Sequence, residues 1–164
     1  MAPPPRHDSA AALGLLERGA RRARSDPAAT EAALLEALEL APEDIDVRLG
    51  AYRFYFYNHR YIEALEHCEA LLCHAARRLN ISADWRTVSP SDASFSEAEF
   101  APGLYLQALI AWGYCHLRRG RTEPAREALL HCVRLDPSDR FGAAAILAHV
   151  EARLAEEDPS ADGA

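Results

Sequence analysis

Apolar positions recur along most of this chain at intervals of three and four residues, the spacing that gathers side chains on one face of an α-helix. Read with its start and stop residues, the pattern predicts helices over about 9–24, 27–40, 45–58, 61–79 and 140–156. Two more helical patterns lie between 106 and 136 and meet at Gly120. Ser25-Asp26-Pro27 is a strong helix start, a capping side chain followed by proline in the first turn. Asp44 can cap the third helix. Pro42 and Pro137 close the segments before them, because a proline ring cannot continue a helix. No segment shows the period-two alternation of a half-buried strand. The expectation is an all-α domain over 9–156, about seven helices in antiparallel pairs. A disordered, proline-rich start (1–8) precedes it and a polar tail (157–164) follows.

The stretch 106–139 carries a sharper pattern. In LQALIAWGYCHLRRGRTEPAREALLHCVRLDPSD, Leu109, Trp112, Gly113 and His116 are followed by Gly120, Ala125, Leu129, Cys132 and Pro137. This resembles the 34-residue tetratricopeptide repeat (TPR), whose signature is Trp-x2-Leu-Gly-x2-Tyr, then Ala-x3-Phe, then Pro. Leu109, Trp112, His116 and Leu129 replace the family's Trp, Leu, Tyr and Phe, while Gly113, Ala125 and Pro137 fall where the family puts them. Small residues at Gly113 and Ala125 let two antiparallel helices approach closely. Thr30, Leu34, Ala37 and Pro42 occupy the corresponding places in a first repeat (11–44), where Arg18 stands for Gly113. Ala64, 34 residues after Thr30, marks a second repeat (45–78), and about 27 extra residues then precede the third (106–139). The resemblance implies a short right-handed α-solenoid of three TPR-like hairpins, with 140–156 as a C-terminal capping helix.

The excess between repeats partly prolongs the fourth helix. The rest is an insertion, about 79–103, rich in serine, acid and proline but holding Trp85, Phe95 and Phe100. Burying one such ring is worth roughly 1.5–3 kcal/mol, so the insertion is expected to fold onto the array with Trp85 as its main anchor. Ser94 and Glu97 have the spacing of a capping box opening a short helical turn.

The formal charge of −7 argues against nonspecific nucleic-acid binding, and all 18 basic residues are arginine. No stretch reads as a signal peptide or a membrane span, so a cytoplasmic protein with four free thiols is expected. Cysteine and histidine are neighbours at His67-Cys68, Cys73-His74, Cys115-His116 and His131-Cys132. Adjacent residues on a helix point about 100° apart, so each pair offers at most one ligand to a site. No metal site and no cofactor are expected. A nucleophile with its base, a phosphate-cradling glycine loop and a paired-carboxylate site are all missing from the sequence, which argues against an enzyme.

Along the third helix, Leu49, Arg53 and Phe56 form a stripe spaced by four and three residues that leads into the aromatic run of 52–57, which ends in Tyr57. The corresponding stripe of the third repeat is Ile110, Tyr114 and Leu117, with Gln107 above and Arg118 beside it. In the family's geometry both stripes line the concave surface. The resemblance thus implies an apolar, aromatic groove for a partner's helix or extended segment, and a non-catalytic adaptor, scaffold or chaperone. Some family members grip a carboxyl-terminal carboxylate with cations in fixed groove places. The matching places here are Leu15, Gly19, Gly50, Gln107 and Ala111, so no such clamp is expected. Two other readings stand beside this one. In the first the chain is a structural or oligomerisation subunit, its groove filled by its own insertion or by a partner subunit, as in a homodimer. The second is a secretion-type TPR chaperone.

Overall fold

The computed structural model describes residues 6–22 and 25–157. Residues 1–5 of the segment read as disordered, and the tail beyond residue 157, lie outside the described residues. Seven α-helices and no strand occur among the described residues: α1 (Arg6–Arg22), α2 (Pro27–Leu40), α3 (Ile45–Tyr57), α4 (Tyr61–Leu79), α5 (Phe100–Arg118), α6 (Thr122–Leu135) and α7 (Ala143–Glu157). The all-α expectation holds, and most helix ends fall within a residue or two of their expected places. α1 begins three residues before its expected start, and α5 six residues before the third repeat. Pro102 does not oppose that extension, because it sits in the first turn, where no intrahelical N–H is required. The chain forms two compact units, 1–67 and 68–164, with the boundary inside α4.

In the first unit the Asp26 side chain accepts the Ala29 N–H at 3.0 Å to start α2. Asp44 accepts those of Asp46 and Val47 at 2.9 and 3.2 Å to start α3. The glycine of close helix approach in this hairpin is Gly19, not position 18. A Cβ on Gly19 would lie 3.5 Å from Ala33 Cβ and 3.6 Å from Thr30. The Thr30 hydroxyl donates to the Gly19 carbonyl at 3.0 Å. Counting back from Thr30 by the third repeat's spacing reaches Arg18, because this hairpin is one residue shorter. Ala12, Ala37, Ala41 and Val47 form the buried cluster here, with Leu13, Leu15, Leu16 and Leu38 against it.

In the second unit α5, α6 and α7 pack in sequence. A Cβ on Gly113 would lie 3.3 Å from Leu129 Cγ and 3.4 Å from both Ala128 Cβ and the Ala125 carbonyl oxygen. Gly120 closes the hairpin with φ +75 and open space around it, so it is required for its left-handed backbone and not for room. α7 starts three residues later than expected, because Asp139 and Gly142 both take left-handed conformations (φ 50 and 76). The stretch before it holds the insertion instead. Arg140 donates to the carbonyls of Glu97 and Phe95 and pairs with the buried Asp136.

The insertion is ordered as a strap over 80–99. Trp85 is 7% exposed and meets Trp112 edge-on at 5.5 Å and His131 at 5.6 Å. Phe95 is fully buried against Tyr105 at 5.6 Å. The third aromatic departs from expectation: Phe100 is 55% exposed, because it opens α5 instead of belonging to the strap. The short helical turn also lies elsewhere. It is the 3-10 turn Trp85–Thr87, capped by Asp84 through the Arg86 N–H at 3.1 Å. Ser94 and Glu97 form only a plain turn, with the Glu97 N–H on the Ser94 carbonyl at 3.1 Å.

Gly113→Leu inserts a side chain where three groups already lie within contact distance. Overpacking of this kind typically costs 1–3 kcal/mol. A thermal melt should show the midpoint several degrees lower, while Gly120→Ala should act through backbone strain alone and cost roughly 1 kcal/mol.

Candidate partner-binding faces

The first unit holds an open cavity of about 370 Å³ lined by three helices. α1 contributes Leu16, Gly19 and Ala20, and α2 contributes Thr30 and Leu34. Gly50, Arg53, Phe54 and Tyr57 come from α3, with Asn58 just beyond its end. The cavity exists because the facing positions are small. A Cβ on Gly50 would come within 3.2 Å of Leu16 Cδ1, so the glycine leaves room for that side chain. Beyond that point Ala20 cannot fill the space left between α1 and α3.

Two of the four α3 residues expected to bind a partner, Arg53 and Tyr57, line this cavity, and Tyr57 is 75% exposed. Leu49 and Phe56 do not line it; both are half-buried on the adjoining face. The Phe56 ring packs with Tyr52 at 5.3 Å, Tyr57 at 5.7 Å and Tyr61 at 6.0 Å, which makes it the centre of an aromatic cluster. The expected binding residues did not include Leu16, Ala20, Leu34 or Phe54. The signal available was the small residues at Gly19, Ala20 and Gly50, of which Gly19 and Gly50 stand at places matched to the family's carboxylate clamp. The one-residue shift in the first hairpin moves two of those places from Leu15 and Gly19 to Leu16 and Ala20, and still supplies no cation.

Opposite this face Tyr55 is buried. Its hydroxyl donates to Glu31 at 3.1 Å, and Arg60 holds the same carboxylate at 2.6 Å. Burial and the bonded Glu31 push the Tyr55 phenol up to about 12. Burial also lowers the pKa of His67, whose ring stacks on Tyr55 at 5.6 Å, and Arg48 beside it acts in the same direction. This network ties α2, α3 and the start of α4 together.

In the second unit, Gln107 and Arg118 are exposed, and Ile110 and Tyr114 are half-buried. Arg118 donates to the Tyr114 hydroxyl at 3.0 Å. Leu117 corrects the expected stripe, since it is 4% exposed and belongs to the core. At 100° per residue it lies only about 40° round the helix from the packed Gly113, against about 60° for Ile110 and about 100° for Tyr114. The rings that the strap touches, Trp112 and Tyr105, lie roughly on the far side of α5 from Ile110 and Tyr114. The strap's aromatic anchors therefore do not cover this band.

Cys68, Cys115 and Cys132 are buried and Cys73 is exposed; all four are free thiols. A hydrogen bond with Cys115, together with burial, holds the Cys68 thiol well above its ordinary pKa. Burial does the same for Cys132. Such thiols behave as small packing groups and not as nucleophiles. Among the described residues, no three His, Cys, Asp or Glu side chains are grouped to hold a metal ion. No helix of the described residues is long and apolar enough to cross a membrane.

Comparison with known proteins places this geometry. An uncharacterised 19.8 kDa protein of Azotobacter chroococcum mcd 1, from the region 5′ of nifW, is 41% identical over 120 residues, 71% of this chain and 67% of its own length. The chain belongs to the family of that protein. No protein-family model matches it. Among solved structures it resembles the first TPR of Spaghetti (RPAP3), determined with an HSP90 peptide, SRMEEVD. The TM-score is 0.58 at 16% identity, covering 90% of this chain and 95% of that one. It also resembles the N-terminal domain of stress-induced protein-1 (STI-1) from C. elegans. There the TM-score is 0.59 at 16% identity, with 88% and 97% covered. The fold is tetratricopeptide-like, as the 106–139 stretch implied.

The face that holds the strap carries a buried histidine. His116 is 7% exposed, 4.0 Å from the Trp112 ring, and its Nδ1 has no hydrogen-bond partner. Burial, aided by Arg121, Arg119 and Arg86, lowers its pKa to about 4. An unfolded histidine titrates near 6.5, so between about pH 6.5 and 4 the unfolded chain binds a proton that the folded chain refuses. Stability is complete above that window and falls as the pH drops through it. Denaturant titrations at pH 7.5 and 4.5 should differ by roughly 2 kcal/mol from this group alone, and His116→Phe should narrow the gap. Burial shifts His131 in the same direction, so part of the difference should remain.

Proposed function

We propose that this protein is a non-catalytic interaction module, an adaptor, scaffold or chaperone, that captures a segment of another protein. The cavity between α1 and α3 would serve as its anchor point. The observation that carries the reading is the form of that cavity. It is apolar-walled and open to solvent, of a size that takes one or two side chains, with Arg53 and the exposed Tyr57 at its rim. Tyrosine and arginine are the residue types that dominate binding hot spots. Leu49 and Phe56 back this surface. On the second unit, Gln107, Ile110, Tyr114 and Arg118 offer a separate band for contact.

The fold neighbour bound to an HSP90 peptide supports a peptide or helix as the class of partner. The family relative is named only by its place 5′ of nifW, which points to neighbouring genes as the source of partners. An acidic chain fits a protein partner better than nucleic acid or an anionic membrane. We place the interaction in the cytoplasm, where four unpaired cysteines stay reduced. Self-association through the Tyr57 face is the alternative occupant.

The test uses Arg53→Ala combined with Tyr57→Ala. Both side chains are exposed, so circular dichroism and the melting midpoint should stay nearly unchanged, as for most surface substitutions. A partner that copurifies from the native host with the wild-type chain should be lost with the double variant. Retention of that partner would remove the cavity from the reading. A concentration-dependent dimer in sedimentation, abolished by the same variant, would assign the face to self-association.

A further inference from the structure

The charge around the α1–α3 cavity narrows the kind of segment it can accept. The chain carries 25 acidic residues and a net charge of −7, yet none of the ten residues lining the cavity is an acid. The polar groups there are largely committed. The Thr30 hydroxyl lies 3.0 Å from both the Gly19 and Asp26 carbonyls. The Asn58 amide donates to the Phe54 carbonyl at 2.7 Å. The Tyr57 hydroxyl and Arg53 are the exceptions, and of the two only Arg53 is charged. Neighbouring arginines of the same unit are paired, Arg48 with Glu66 at 3.7 Å and Arg60 with Glu31 and Glu63 at 2.6 Å each. Among the described residues no hydrogen bond or ion pair engages Arg53.

An apolar cavity with a single uncommitted guanidinium at its rim is complementary to an apolar side chain that has a carboxylate close by. The planar guanidinium can take a carboxylate through two parallel hydrogen bonds. Phe54, Leu16 and Leu34 supply the wall for an aliphatic or aromatic anchor. We infer that the cavity selects an acidic-apolar segment within a partner chain. A Leu-, Ile-, Met- or Phe-sized side chain enters between α1 and α3, and an Asp or Glu side chain within one helical turn of it pairs with Arg53. The inference rests on the cavity being the anchor site proposed above. The carboxylate is assigned to a side chain and not to a chain terminus because one cation serves it. With the Thr30 and Asn58 groups committed, Arg53 and the Tyr57 hydroxyl are the donors left, fewer than a terminal carboxylate and its backbone would engage.

The test is a display library of random dodecapeptides with both ends blocked, selected on the full chain and counter-selected on Ala20→Phe, which fills the cavity from an exposed position. Selected sequences are made as acetylated, amidated peptides and titrated by calorimetry. Enrichment of Asp or Glu within four residues of a large apolar side chain is expected. Changing that acid to its amide should weaken binding to the wild-type chain about fivefold, and more at low salt. The same change should have little effect on Arg53→Gln, since the partner cation is already gone. Selected peptides that are basic or uncharged, or an amide change with equal effect on both chains, would overturn the inference and leave the anchor site standing. So would a requirement for a free carboxyl terminus. Peptides that bind Ala20→Phe as tightly as wild type, or no enrichment at all, would remove the anchor site itself.

Discussion

Gly113 lets α5 and α6 close until Leu129, Ala128 and the Ala125 carbonyl stand within 3.4 Å of where its side chain would begin. This approach sets the hairpin angle on which the second unit is built. Gly19 does the same work against Thr30 and Ala33 in the first unit. Once two helices are fixed at that distance, the residues around the contact have determined directions. Leu109 and Leu129 become core, Trp112 faces the strap, and Ile110 and Tyr114 are left half-buried. A helical pair held by larger residues would rotate and separate, and those assignments would change together.

The strap shows how an inserted segment becomes part of such a unit without regular structure. Its backbone is polar and mostly exposed, so order has to come from side chains. Trp85 and Phe95 supply buried area, and Arg140 supplies donors to the carbonyls of Phe95 and Glu97. Arg86 lies 4.3 Å over the Trp85 ring and 6.0 Å from that of Trp112, and binds Glu127 at 3.2 Å, which closes the outer side of the aromatic pair. Asp136 is central to the far end. Burial opposes its charge, but hydrogen bonds from Ser138 and Arg140, with the Arg140 charge, hold its carboxyl below the ordinary carboxylate range. The aspartate in turn fixes the arginine that holds the strap.

Much of this was legible in the sequence because helices with a repeat leave local marks. Caps at Asp26 and Asp44, the prolines at 42 and 137 that close the first and third repeats, and the glycine at 113 are read from neighbours only a few residues away. What depended on three-dimensional detail was harder. The first hairpin is one residue shorter than the third, and a fixed spacing therefore landed on Arg18 instead of Gly19. Leu117 shares a heptad-like stripe with Ile110, but the rotation of about 100° per residue brings it back toward the packed line. The aromatic content of the strap was visible, whereas the choice of Trp85 over Ser94 as its helical turn depended on Asp84 and on the burial of the ring. The cavity was the least legible feature, since it is made by side chains that are absent.

That last point gives the two units different characters. Buried positions of the first unit are dominated by alanine, at 12, 37, 41, 51 and 64, whereas those of the second include Trp85, Phe95, Tyr105, Trp112 and nine leucines. Alanine permits close helix packing but fills little volume, so mismatched helix surfaces leave space between them. In the second unit the corresponding volume is occupied by rings, two of them brought by the strap. Apolar walls that face open space lack the dispersion contacts that packed neighbours supply. The open apolar concavity left by these small residues, with Arg53 and the exposed Tyr57 at its rim, has walls that lack such neighbours. A partner's side chain would supply the missing contacts at that place.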